Sequence, residues 1–308
     1  MISKSLSTQL KGHCVFVTDH TLSKQEKKVL RRKAIAAREI FITDAANPKA
    51  STLADVATVI NRFGAILREG ADDVLSRYRR SFLGPLWNVA GTLVFVTGFM
   101  ILSKYLFKIN DPSHIAYVAC GIVFWAFIYS TLAEGTGMYG SPTSTSTGFH
   151  LSFAETPVRL VARNFVVLLL GAPILLGLSF WFIGFHWQIF LFIPGVILVI
   201  LVLVPGTVIL GVFGARLRDL PPAVASFLLF GFYFSPVFWR AVDIPQGTPQ
   251  LILYLNPFYY FLELMRTPLL GGVPTLIHYV VVLGLIVVVW TVAILVFIRF
   301  RRRIIYWS

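Results

Sequence analysis

The sequence predicts an all-α, polytopic membrane protein with about six transmembrane helices, an amphipathic helix ahead of the first span and a re-entrant segment on the outer side. Three observations predict it. The 308 residues are 56% hydrophobic and only 13% charged, with a mean hydropathy of +0.76, too apolar for a chain whose solvent is mainly water. Six apolar stretches approach the length of a bilayer crossing, for which about 20 residues are needed. The basic residues are segregated, residues 1 to 83 holding 15 of the 27 Lys and Arg. A formal charge of +13 would also suit a nucleic-acid partner, but this segregation belongs to a membrane protein with a basic cytosolic arm, so no nucleic acid is expected.

Residues 1 to 64 read as that basic cytosolic arm, helical in part. Ser23-Lys24-Gln25-Glu26 fits a capping box, and helix formers follow it to Phe41. Beyond Asn47-Pro48, the residues Leu53, Val56, Ile60, Phe63, Leu67, Ala71, Val74, Tyr78 and Phe82 recur three or four apart, the period of an amphipathic helix, with Gly64 and Gly70 expected to break or bend it. Residues 65 to 83 form the interface helix proper, whose Arg77, Tyr78, Arg79 and Arg80 suit anionic lipid headgroups; packing on another subunit is the alternative.

Residues 84 to 308 hold the spans, near 85 to 107, 115 to 132, 165 to 185, 187 to 213, 223 to 239 and 277 to 298. Pro194 and Pro205 in the fourth call for a kink or tilt. The run Leu251 to Leu262 is too short to cross and is interrupted by Asn256-Pro257, so it reads as interfacial or re-entrant. With a cytosolic N-terminus the inner side collects 23 Lys and Arg, and only Lys104, Lys108, Arg240 and Arg266 fall outside. Both termini are therefore expected in the cytosol, and the first 40 residues show no apolar core of the kind a cleaved signal peptide needs.

The chemistry that is missing narrows the function. No segment has the spacing of a phosphate-binding loop, GxxxxGK followed by Ser or Thr, so ATP hydrolysis is not expected of this chain. There is no HExxH, no GxSxG and no close pair of acids within a span, and Cys14 and Cys120 are too far apart in sequence for a CxxC site. No catalytic residue, metal or cofactor is assigned. Intramembrane charge, which an ion-coupled carrier would use, is almost absent. Glu134 at the end of the second span either pairs with Arg163 or snorkels to the interface, and His278 sits at the outer end of the last span. A transporter so equipped must draw its energy from a partner.

Three motifs stand in order along the chain. Ser76-Arg77-Tyr78-Arg79-Arg80-Ser81-Phe82-Leu83-Gly84-Pro85-Leu86-Trp87 turns a basic amphipathic segment into the first span. Leu255-Asn256-Pro257-Phe258-Tyr259-Tyr260-Phe261-Leu262-Glu263-Leu264-Met265-Arg266 breaks a helix at Asn-Pro and restarts it, with Glu263 and Arg266 spaced to pair. Arg301-Arg302-Arg303-Ile304-Ile305-Tyr306-Trp307 closes the tail. Together they resemble the ABC-2 permeases that export polysaccharides of the O-antigen, capsule and teichoic acid type, over roughly residues 65 to 308. Residues 1 to 50 lie outside the likeness.

That resemblance implies a bacterial cytoplasmic-membrane protein in which two copies surround a channel for a lipid-linked glycan. Two ATP-binding cassette subunits, which hold the ATP and Mg, would dock beneath. It implies a coupling segment within 136 to 160 and an outer gate within 242 to 272. Phe149, Leu151, Phe153, Glu155 and Arg159 offer apolar anchors beside charges for the ATPase, with Arg216 and Arg218 as a secondary contact; a solvated loop is the alternative. Asn256, Pro257, Glu263 and Arg266 fall in the gate. For the substrate path, Phe227, Phe230, Phe234 and Phe238 recur at i, i+3, i+7 and i+11, while Tyr117, Phe124, Trp125 and Tyr129 share the second span. Aromatic faces stack weakly and repeatedly, as a moving polymer requires, although packing between helices is the competing use. An ABC-2 exporter of drugs or small lipids would share this layout, and a membrane-embedded transferase would need more than the isolated Asp111, Asp219 and Asp243.

Overall fold

In lipid, backbone polar groups must be satisfied within their own segment, and the apolar runs accordingly fold as helices. The computed structural model describes residues 6–10, 13–17, 48–77, 81–82, 84, 86–105, 113–139, 154–241 and 247–307. They fall into two units, Met1–Thr52 and Leu53–Ser308. In the first, β1 (Leu6–Leu10) and β2 (His13–Val17) pair antiparallel, Leu6 facing Val17 and Leu10 facing His13. The arm was expected to be helical in part; among its described residues the first two stretches form this hairpin and helix begins at Pro48. The capping box at Ser23 and the stretch to Phe41 lie outside the described residues.

The second unit is all-helical among its described residues. The amphipathic helix α1 is longer than expected, Pro48–Arg77, and runs without interruption through Gly64 and Gly70. Gly70 is a contact point, not a break. A Cβ there would stand 3.1 Å from Arg159 O, Arg163 N and Ala162 Cβ, so the missing side chain lets α1 lie against the helix that starts at Glu155. There follow α2 (Leu86–Tyr105), α3 (Ser113–Gly135) and α4 (Glu155–Phe182). A 3-10 turn at Trp187–Leu191 leads into α5 (Phe192–Arg216), and α6 (Leu220–Phe234), α7 (Thr248–Leu255), α8 (Pro257–Leu269) and α9 (Leu276–Trp307) complete the chain. Pro194 occupies the first turn of α5, where no N–H is needed, and Pro205 lies inside the helix.

Among the described residues, four helical segments are long and apolar enough to cross a membrane: α3, α4, the 3-10 turn with α5, and α9. α2 and α6 are apolar but shorter. The fifth expected span, 223 to 239, is corrected: α6 stops at Phe234 because Ser235 is extended and precedes Pro236, a position that disfavours helix. Its 15 residues rise only about 22 Å, against a hydrocarbon core of about 30 Å. The expected break at Asn256-Pro257 is present as the boundary between α7 and α8.

The core gathers around α3 and α5. Phe124, Ile128, Leu203, Leu262, Leu264 and Met265 are buried in one cluster that joins α3, α5 and α8. A smaller cluster, Met138, Tyr139, Leu160, Val161 and Val212, closes the end of the bundle where α4 begins and α5 finishes.

Candidate functional site

Two polar assemblies stand at opposite ends of this apolar bundle, with an aromatic groove between α3 and α6. At the α7–α8 end, Asn256 accepts from the N–H of Phe258 at 3.0 Å, capping α8, and donates to Ser235 Oγ at 2.9 Å and Phe234 O at 3.3 Å. One amide thus ties the start of α8 to the end of α6. Arg266 is 0% exposed. Its Nη1 donates to Pro236 O at 2.6 Å, its Nη2 to Glu263, and its Cζ lies 3.6 Å from the centre of the Tyr117 ring. Tyr117 donates in turn to Trp239 O at 3.1 Å, and Thr267 to Glu263 Oε2 at 2.7 Å. Burial opposes ionisation of Glu263, but Arg266 and the Thr267 hydroxyl outweigh it and hold its pKa below the ordinary carboxylate range.

At the other end the charges lie between α1 and α4. Glu155, 1% exposed, accepts from Arg62 at 2.9 and 3.0 Å. Arg159 grips Asp73 with two parallel bonds, Nε to Oδ2 at 2.7 Å and Nη2 to Oδ1 at 2.6 Å, and reaches Glu69 at 3.3 Å. Glu69 also meets Arg62, which closes a network of five side chains. Nearby, Arg163 pairs with Glu134, and Asn164 donates to the same carboxylate at 3.2 Å.

The groove has a volume of about 580 Å³ and is open along one side. Phe95 of α2, Trp125 and Tyr129 of α3, and Ser226, Phe232 and Tyr233 of α6 are among its walls. On another face of α6, Phe227, Phe230 and Phe234 project 67%, 60% and 46% exposed, with the rings of Phe230 and Phe234 stacked at 4.5 Å. An aromatic trough of this kind suits a ligand with alternating polar and apolar faces.

Curated proteins are similar to the chain in sequence. An O-antigen export system permease protein RfbA of Myxococcus xanthus is 25% identical over 188 residues, covering 60% of this chain and 72% of the relative. A protein of the same name from Klebsiella pneumoniae is 20% identical over 205 residues, 65% of this chain and 78% of the relative. The chain resembles the ABC-2 type O-antigen export permeases. No protein-family model matches it.

Against that likeness, the residues singled out in the sequence sort into three groups. Glu263 and Arg266 come together in one knot, and Tyr117, assigned above to the substrate path, belongs to it, whereas Asn256 and Pro257 open α8, with Asn256 bonded to Phe234 and Ser235. Glu155 and Arg159, expected to face an ATPase, are turned inward on α1, whereas Arg216 and Arg218 are exposed. Arg77 ends α1 and is exposed. Phe149, Phe153, Tyr78, Arg79 and Arg80 lie outside the described residues.

The aromatic residues divide as well. Phe124 is wholly buried and stacks on Phe192 at 5.6 Å, so within the protomer it is core and not path. Trp125 and Tyr129 do line the groove. Phe238 is no part of the α6 stripe, because the helix ends before it and its ring packs on Phe99 and Phe232. Sequence reasoning missed Arg62, Glu69 and Asp73. Their spacing of seven and then four residues places them on one face of α1, a signal present in the sequence beside the apolar stripe.

Proposed function

We propose that the chain is a polysaccharide export permease: the membrane-spanning subunit that moves a lipid-linked glycan outward across the cytoplasmic membrane while separate subunits hydrolyse ATP. The observation that carries the reading is the open aromatic groove between α3 and α6, to which the exposed rings on another face of α6 add a second aromatic surface. Sugar rings present apolar C–H faces to aromatic planes, and their hydroxyl edges remain free for water, so each contact is weak and the polymer can advance. The names of the relatives support the same class of cargo.

Two copies in the membrane would bring their α6 stripes around a shared path, because exposed phenylalanines on a short helix need either lipid or a partner. ATP and Mg would reside on cassette subunits docked where α4 begins, near Arg216 and Arg218. Since Glu155 and Arg159 are engaged by α1, a push on the segment before α4 would move α1 and α4 together. The knot at Arg266 would set how far the α7–α8 hairpin opens.

The reading is tested by deleting the chain in its native host and assaying surface polysaccharide and membrane-bound polymer. Loss of surface polymer, with lipid-linked glycan accumulating on the cytosolic leaflet, is expected. Unchanged surface polymer would overturn it.

A further inference from the structure

A second opening lies beside α2, toward the end of the bundle where Arg163 meets Glu134, and three polar side chains line it among apolar ones. Its volume is about 220 Å³, and its walls include Thr92 of α2, Ser130 of α3, and Asn164 and Gly171 of α4. Ala126 lines both this notch and the aromatic groove, so the two adjoin at one small side chain. Hydroxyl and amide groups that line a hollow offer hydrogen bonds that an apolar occupant cannot use, so they suit a polar ligand.

Ser130 and Asn164 use only part of their bonding capacity on the bonds they make within the protein. Ser130 donates to Phe127 O at 3.3 Å, which leaves the lone pairs of its oxygen. Asn164 spends one amide proton on Glu134 at 3.2 Å, which leaves the second N–H and the side-chain carbonyl. The Glu134 carboxylate beside Asn164 disfavours a phosphate or any other anion, and the hydroxyl and amide groups disfavour an acyl chain. A neutral, hydroxyl-rich ring remains. The notch is smaller than the roughly 300 Å³ at which drug-sized pockets begin, and it fits one such ring rather than several. At its wall, a Cβ on Gly171 would meet Val123 Cγ1 at 3.3 Å, so a larger residue there would fill the hollow.

We infer that this notch is a sugar-binding site, in which Thr92, Ser130 and Asn164 hold the hydroxyl groups of a single sugar ring before it passes Ala126 into the aromatic groove. The inference rests on the polysaccharide reading above and adds to it a defined waiting position on the α4 side of α2.

The test places a photoactivatable benzoylphenylalanine at position 126 in the full chain with its native ATPase partners, in cells whose glycan is metabolically radiolabelled. Labelled polymer should cross-link at this position, and the Thr92→Val, Ser130→Ala double variant should reduce the cross-link about tenfold, the loss expected for one or two hydrogen bonds. Because a bulky residue can disturb folding, Ala126→Cys in a Cys14→Ser background provides a second readout. Export should be normal before modification and fall after a bulky thiol reagent is attached. If deletion of the chain abolishes surface polymer yet position 126 neither cross-links glycan nor blocks export when modified, the notch is overturned while the exporter reading stands. If deletion leaves surface polymer intact, the exporter reading itself fails.

Discussion

Arg159 and Asp73 form a bidentate ion pair across 86 residues of sequence, with donor–acceptor distances of 2.6 and 2.7 Å. It fixes the amphipathic helix α1 to the first turns of α4, and Arg62 with Glu155 repeats the link one turn away. Both side chains of the first pair are partly exposed, so its Coulombic value is reduced by water, and geometry rather than raw strength is its contribution.

Arg159→Ala and Asp73→Ala should therefore each cost little stability but release α1, and a double-mutant cycle should return a coupling of about 1 kcal/mol. Exchanging the charges, Arg159→Asp with Asp73→Arg, should recover most of the lost export. Export assays on the four proteins check this. Single variants that export like wild type would show that α1 need not move with α4.

Gly214 supplies a second, purely steric prediction. A Cβ at this position would collide with the carbonyl oxygen of Thr136, where α5 passes the end of α3. Backbone cannot rotate away as a side chain can. Gly214→Ala should lower stability by about 1–3 kcal/mol through overpacking, seen as a reduced melting temperature of the detergent-solubilised protein. An unchanged melting temperature would mean that the helices separate at no cost.

These two sites show what was legible in the sequence. Hydropathy placed the long spans, because about 20 apolar residues leave few alternatives, and Asn256-Pro257 marked the α7–α8 break through local stereochemistry. The end of α6 was harder to see. Phe238 continues the helical spacing of phenylalanines, and only Pro236, which acts on Ser235, betrays that the helix has already stopped. Glu155 and Arg159 looked like a docking motif because charges beside apolar residues fit a partner groove equally well. Their true partners lie on α1, and no local pattern reports a contact across 86 or 93 residues.

Arg266 should be the most sensitive single residue at the hairpin end. It is buried, and removing its charge leaves Glu263 facing apolar surroundings, a change that typically costs about 3–5 kcal/mol. Arg266→Gln should reduce folded protein in the membrane as well as export. Arg266→Lys should rescue poorly, since one ammonium cannot satisfy Pro236 O and Glu263 while stacking flat on Tyr117. Glu263→Gln retains a polar partner and should be milder. Fluorescence-detected size exclusion of the three variants ranks them, and a fully folded Arg266→Gln protein would remove the knot from the architecture.

The aromatic residues allow the last prediction to separate transport from packing. Phe124 and the Phe230–Phe234 pair are chemically alike but differ in surroundings: the first is wholly buried against Phe192, while the second is exposed and stacked only on itself. Truncating a buried phenylalanine removes its contacts and leaves a cavity, so Phe124→Ala should cost about 3–5 kcal/mol and deplete the protein. Replacing Phe230 and Phe234 by Leu keeps apolar bulk and removes only the flat faces on which a sugar would stack, so folding and ATPase association should persist while export falls. The measurement is export per molecule of membrane-inserted protein, which cancels differences in abundance. On that scale Phe124→Ala should look nearly normal, and the Phe230→Leu, Phe234→Leu variant should be impaired. The reverse order, or normal export by the double variant, would make the exposed stripe a contact for lipid or for a second protomer, and the glycan path would then have to run along Trp125 and Tyr129 without it.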